Sequence, residues 1–244
     1  MKVSTTLKKK TPKPISSPDE IELKNLWHRL ETKGLLQNHK ADLSFRLPGK
    51  GSFLLIHREE GKKSKPEIAE YKIENPTESL RIHLVSDETL NLIRFHASMY
   101  SLRPDIGAVA SFRPHWSSLL KTLDHPLPLV FDEQCRQLGA PVIHLPKHID
   151  GSVKNNSIIQ SGANAFLDEN HVVITSVTRD KAIYNCELIE KCSKAYLLAY
   201  STGNPIRNIP WWVRFIAKSR LLKDEKKASR AYALGQAPTG FKAY

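Results

Sequence analysis

The 244-residue sequence is short of cysteine, short of acid at both ends, and without any apolar run near the ~18 residues that a bilayer span needs. Each scarcity excludes something. Cys135, Cys186 and Cys192 are too few and too scattered for a disulfide framework or a CxxC metal site, so a reducing cytoplasm is the expected setting. The lysines of residues 1–13 are followed by no apolar h-region, so that segment does not read as a secretory signal. Internal repeats are also absent.

The formal charge of +12 resembles a nucleic-acid binder's until it is located. Residues 1–13 hold five lysines and no acid, and residues 207–244 hold nine Lys or Arg against Asp224 and Glu225. These two ends carry the whole excess, and the body between them is neutral. Attraction to a polyanion or an anionic membrane surface therefore belongs to the termini and is expected to be weak and screened by salt.

Residues 1–16, rich in Lys, Pro, Ser and Thr, read as a basic flexible tail. Residues 17–205 read as one domain, and 206–244 as a basic, Trp-containing segment forming a docked helix. Ser17-Pro18-Asp19-Glu20 has the pattern of a capping box, and Leu23, Leu26, Trp27 and Leu30 share one face, which predicts a helix over 18–33 ended by Gly34. Extended runs follow at 43–46, 53–57, 67–73 and 81–85. A second helix is expected from Ser86 to Arg103-Pro104, then a central strand over 106–112. Beyond it the pattern predicts a helix at 115–123, a strand at 141–145, a helix at about 153–167, a strand at 171–176 and a helix at 179–200. Interleaved strands and helices indicate an α/β protein, a three-layer αβα arrangement with a central mixed sheet.

The run His96-Ala-Ser-Met-Tyr100-Ser-Leu-Arg103-Pro104-Asp105, leading into Ala108-Val109-Ala-Ser111-Phe-Arg113, resembles the central signature of the class II aldolase/adducin family. Gly34-Leu35-Leu36 and Asp42-Leu43-Ser44-Phe45-Arg46 are similar to that family's opening, and Leu138-Gly139-Ala140-Pro141-Val142 to a later element. The resemblance covers about residues 18–200. It implies enzymes that hold zinc on three histidines, where the metal polarises hydroxy-ketone oxygens for carbon-carbon cleavage. It also implies homo-oligomers, most often tetramers, with the cleft between subunits.

Set on the family's pattern, the ligand positions fall at Ser111, Arg113 and Val177, and the acid/base glutamate at Leu92, so no metal and no cofactor are expected. Asp42 stands in the phosphate-binding loop around Lys40-Ala41-Asp42, where its carboxylate would repel a phosphate. Arg113 is a candidate anion-binding cation, and Asp42, His96 and His115 are further ligand-binding candidates. His96 reads most simply as a half-buried helix residue bonded to backbone. Glu88, one turn before Leu92, could carry a displaced carboxylate, although Ser86-Asp87-Glu88 is explained by a helix start alone. His83, His96, His115, His144 and His171 show no HxH or HExxH spacing.

Together these readings favour a non-catalytic binding or scaffold protein with an unidentified partner, the alternative being a divergent lyase acting on a small hydroxy-carbonyl or sugar phosphate. The segment Pro210-Trp211-Trp212-Val213-Arg214-Phe215 onward reads as a helix whose Trp and Phe pack on the domain or on a neighbouring subunit while Arg and Lys face water. Adjacent tryptophans are expected there to spread apolar surface around the axis rather than in the single stripe of an interfacial helix.

Overall fold

A computed structural model of the chain describes residues 17–37, 39–59, 66–78, 85–145, 153, 159 and 162–241. Helix α1 spans Pro18–Thr32 with Ser17 as its cap, the Ser17 hydroxyl accepting the Glu20 N–H at 3.2 Å, and it buries Leu23, Trp27 and Leu30. Strands β1 (Ala41–Leu47), β2 (Ser52–Arg58) and β3 (Glu67–Lys72) form an antiparallel meander. Helix α2 (Asp87–Leu102) starts on Ser86, whose hydroxyl accepts the Thr89 N–H.

Strand β4 (Ala108–Phe112) then enters the middle of the sheet between β1 and β7. A 3-10 turn (Ser117–Thr122), helix α3 (Asp132–Gln137) and strands β5 (Ile143–His144), β6 (Ala165–Asp168) and β7 (His171–Ser176) follow. Helices α4 (Arg179–Tyr200) and α5 (Trp211–Ala233) come last among the described elements. The strand order is β3-β2-β1-β4-β7-β6-β5, all neighbours antiparallel except β5 with β6, so the sheet is mixed.

Successive side chains of a strand point to opposite faces, and here each face meets its own core. Leu43, Phe45, Ala108, Ala110, Val172 and Ile174 face the α1 and α4 layer. Phe53, Leu55, Val109, Phe166 and Val173 face α2. Strand β4 is buried at every residue, which is why its sequence is a continuous apolar run.

Several expectations are corrected. The helix expected over 153–167 ends in a strand, since 165–168 pair with both β5 and β7. Such a short strand, buried on both faces, produces an apolar run that period alone does not separate from a helix. The expected helix at 115–123 is a six-residue 3-10 turn, the strand at 141–145 shrinks to two residues plus a bridge at Val142, and α3 carries no apolar period that announces it. The tail 1–16, the run 81–84 with His83, and most of 153–164 lie outside the described residues.

Helix α5 does not pack on its own domain through its Trp and Phe side chains. Trp211, Trp212 and Phe215 are exposed; the side chains this helix buries are Leu221, Glu225 and Ala228. Its hold on the body is polar. Arg103, nine-tenths buried, binds Asp105 through two hydrogen bonds (3.1 and 2.6 Å), the Ala163 carbonyl at 2.8 Å and Glu225 at 2.8 Å. Asn164 donates a further bond to Glu225 at 3.2 Å and accepts one from Thr175. Burial alone would lower the Arg103 pKa, but Asp105 and Glu225 more than offset it and hold it above its usual value. Burial raises Glu225 against the opposing pull of Arg103. The preceding residue, Asp224, pairs with Arg136 at 2.6 Å and Lys181 at 3.4 Å.

Near its end α5 places Tyr232 against the body, the hydroxyl donating to the Val177 carbonyl at 3.0 Å. A Cβ on Gly107 would lie 2.0 Å from that hydroxyl oxygen and 2.5 Å from the Val177 carbonyl oxygen, so a residue without a side chain is required there.

Candidate functional site

A cleft of about 610 Å³ opens between the start of α2 and the ends of β1, β4, β5, β6 and β7. Asp42 and Ser111, directly opposed in the β1–β4 register, stand in it side by side. Helix α2 contributes Glu88, Asn91, Leu92 and Phe95, and the far strands contribute His144, Asp168 and His171. Among the described residues, no group of three or more His, Cys, Asp or Glu is placed to hold a metal ion.

Behind the cleft lies a buried polar ladder. On β1 the residues Asp42, Ser44 and Arg46 alternate toward α2, which presents the side chains of His96 and Tyr100 and, at its end, the Tyr100 and Arg103 carbonyls. Two strand residues advance about 6.7 Å and four helix residues about 6 Å, so the rungs coincide. His96 Nε2 is 2.8 Å from Asp42 Oδ1, and His96 Nδ1 is 2.7 Å from Ser44 Oγ, which is also 2.7 Å from the Tyr100 hydroxyl.

One set of protons satisfies every rung. The Nε2–H donates to the Asp42 carboxylate, the Ser44 hydroxyl donates to Nδ1, and the Tyr100 hydroxyl donates to Ser44. Burial pushes the Tyr100 phenol well up, which keeps its proton available for that bond. Arg46 completes the ladder by donating to the Ile106 (2.7 Å), Tyr100 (2.8 Å) and Arg103 (3.2 Å) carbonyls, with its guanidinium 4.9 Å from the Tyr100 ring centre. Burial lowers the Arg46 pKa against the raising effect of Tyr100.

The sequence-derived candidates are distributed unevenly over this geometry. Asp42, Ser111, Leu92 and Glu88 line the cleft. Glu88 also follows the Ser86 cap, so both readings of that segment coexist, and its carboxylate is held 2.6 Å from Lys40. His96 is fully buried rather than half-buried, and its partners are side chains rather than backbone. With both ring nitrogens engaged it has no lone pair to offer a ligand.

Arg113, one residue past β4, and His115, exposed and edge-on to Trp116, are not in the cleft lining. Val177 is buried, and its carbonyl serves Tyr232. Asn91, Asp168 and Glu169 were not singled out from the sequence. The Asp168-Glu169-Asn170 turn between two apolar runs, with Glu169 at φ +52°, was the available signal.

The donor set at the resemblance's metal positions does not fit zinc. Ser111 is a neutral hydroxyl, Arg113 a cation, and Val177 an aliphatic side chain, whereas zinc sites are built from imidazole, thiolate and carboxylate. Within the cleft Lys40 is paired with Glu88, and the Asp42 carboxylate is hydrogen-bonded to His96.

No protein-family model and no curated protein matches the sequence. Solved structures do match. An L-fuculose 1-phosphate aldolase superposes with a TM-score of 0.66 at 22% identity, covering 86% of this chain and all of that one. YgbL, described as a putative aldolase/epimerase/decarboxylase from Escherichia coli, gives 0.58 at 17%, covering 81% and 96%. An aldolase II superfamily protein from Pseudomonas syringae gives 0.58 at 14%, covering 91% and 96%. At these identities the likeness establishes a shared architecture, the class II aldolase-like fold.

Proposed function

We propose that this class II aldolase-like chain is a non-catalytic binding protein whose cleft takes a small polar ligand without zinc. The observation that supports it best is the cleft wall itself. Leu92 occupies the place where the resemblance puts a proton-transferring glutamate, and Ser111 a place where it puts a zinc-binding histidine. An alkyl side chain transfers no proton, and a serine hydroxyl is a poor ligand for zinc. What the cleft retains is hydrogen-bonding capacity, from Asn91, Ser111, His144 and the edge of Asp42, which suits hydroxyl and carbonyl groups of a sugar-sized molecule.

The alternative, a carbon-carbon lyase with displaced groups, has Glu88 in its favour, because that carboxylate does reach the cleft beside Lys40. Metal analysis of purified protein and a thermal-shift panel of sugars, hydroxy-carbonyl compounds and their phosphates, with and without chelator, separate the readings. Stabilisation that a chelator leaves unchanged, with no turnover, is the expected result. One tightly held zinc per chain overturns the proposal, as does retro-aldol activity that disappears in Glu88→Gln.

A further inference from the structure

Among the described residues no helix is long and apolar enough to cross a membrane. Helix α5 nevertheless carries half of the large apolar side chains exposed among the described residues, Trp211 at 72%, Phe215 at 70%, Trp212 at 54%, Ile216 at 46% and Leu222 at 42%. At about 100° per residue these five fall within an arc of roughly 140°, so they form one stripe instead of the spread that two adjacent tryptophans suggest.

Charge on the same helix is sorted as sharply. Its two acids, Asp224 and Glu225, are engaged on the body side by Arg136, Lys181 and Arg103. Arg220, Lys223, Lys226, Lys227 and Arg230 are exposed, and no fully exposed carboxylate accompanies them on the helix. The outward face is thus aromatic in its first half and cationic in its second.

We propose that this face docks on an anionic lipid surface, with Trp211, Trp212, Phe215 and Ile216 entering the headgroup boundary and the lysine-rich half lying over acidic headgroups. Tryptophan favours that boundary because its ring is apolar and its N–H is wet, and a helix with such a stripe beside cations lies in the plane of the interface. Charge selects this occupant over a second copy of the chain, since pairing two such faces would bring ten exposed cations together with no exposed helix acid between them. A polynucleotide would be met by the cations alone and would leave Ile216 and Leu222 in water. The docking is independent of the cleft.

The experiment is co-flotation of the full chain with phosphatidylcholine vesicles, with and without phosphatidylserine, alongside Trp emission. Partitioning only onto the serine-lipid vesicles, with a blue shift, is expected. Trp211→Ser/Phe215→Ser should lower it about tenfold, as the loss of part of two buried aromatics implies. Lys223→Gln and Lys226→Gln should each lower it about fivefold. The substituted side chains lie outside the core, so unchanged thermal melts serve as the folding control, and the lysine variants carry the test if the aromatic variant melts early.

Absence of partitioning onto anionic vesicles overturns the proposal. So does a fall in solution mass of Trp211→Ser/Phe215→Ser without loss of vesicle binding, which assigns the face to a second copy. Displacement from vesicles by a polynucleotide that the aromatic variant binds equally well overturns it too.

Discussion

His96 gives Asp42 an Nε2–H across 2.8 Å, with His96 fully buried and Asp42 showing only an edge to the cleft. The pair joins the second helix to the first strand, and a hydrogen bond between buried partners is costly to half-remove.

Asp42→Ala therefore leaves the imidazole N–H without an acceptor and should cost about 2–4 kcal/mol in urea unfolding. Asp42→Asn keeps an acceptor and should cost about 1 kcal/mol. Equal losses for the two variants would show that the carboxylate, rather than the hydrogen bond, matters there.

Removing the carboxylate of Glu225 leaves Arg103 with Asp105 and the Ala163 carbonyl. Glu225→Ala should cost about 2–3 kcal/mol and loosen α5 selectively, because that side chain is the helix's deepest polar contact. Limited proteolysis reads this as new cleavage within 206–236 at a rate that leaves 17–200 intact. Cleavage spread through the body would mean that α5 is integral to it.

Burial raises the Tyr232 phenol to about 12 from its usual 10. A raised folded-state value means that the folded protein keeps a proton which the unfolded chain has lost, so stability is full below pH 10 and falls between pH 10 and 12. The loss from this group is roughly 1 kcal/mol by pH 11. Tyr232→Phe should flatten that alkaline decline while costing about 1 kcal/mol at neutral pH for the abandoned Val177 carbonyl. Gly107→Ala should displace the ring outright and cost about 1–3 kcal/mol at every pH.

On assembly, a homo-oligomer, with a tetramer the expected form, is proposed from the family resemblance and from the exposed Leu119, Leu198 and Tyr200. Light scattering should give a mass several times 27.7 kDa at micromolar concentration, and Leu198→Asp should reduce it. A mass of one chain throughout excludes it.

Much of the architecture was legible in residue order because local signals agreed with the fold. Ser17 and Ser86 marked two helix starts, the apolar run after Arg103-Pro104-Asp105 marked the central strand, and the pattern His96…Tyr100…Arg103 marked the family likeness. The site was legible only where it lies on these segments, as Asp42, Leu92 and Ser111 do. His144, Asp168 and His171 reach the cleft through strand pairings between distant segments, for which no local spacing codes. How α5 seats on the body is not legible locally for a related reason. Its inward face carries Glu225 to Arg103, a contact 122 residues long, flanked by Leu221 and Ala228, while the aromatics of its first turns stay outside.

That separation also sets a schedule. A ribosome adding about 5–20 residues per second delivers Glu225 some 6–24 s after Arg103. Strands β4 to β7 are made within that interval, and once Ser176 is in place the nascent chain holds every described strand yet still lacks one of the two carboxylates that neutralise Arg103. Completion of the fold is therefore timed by the arrival of a late helix.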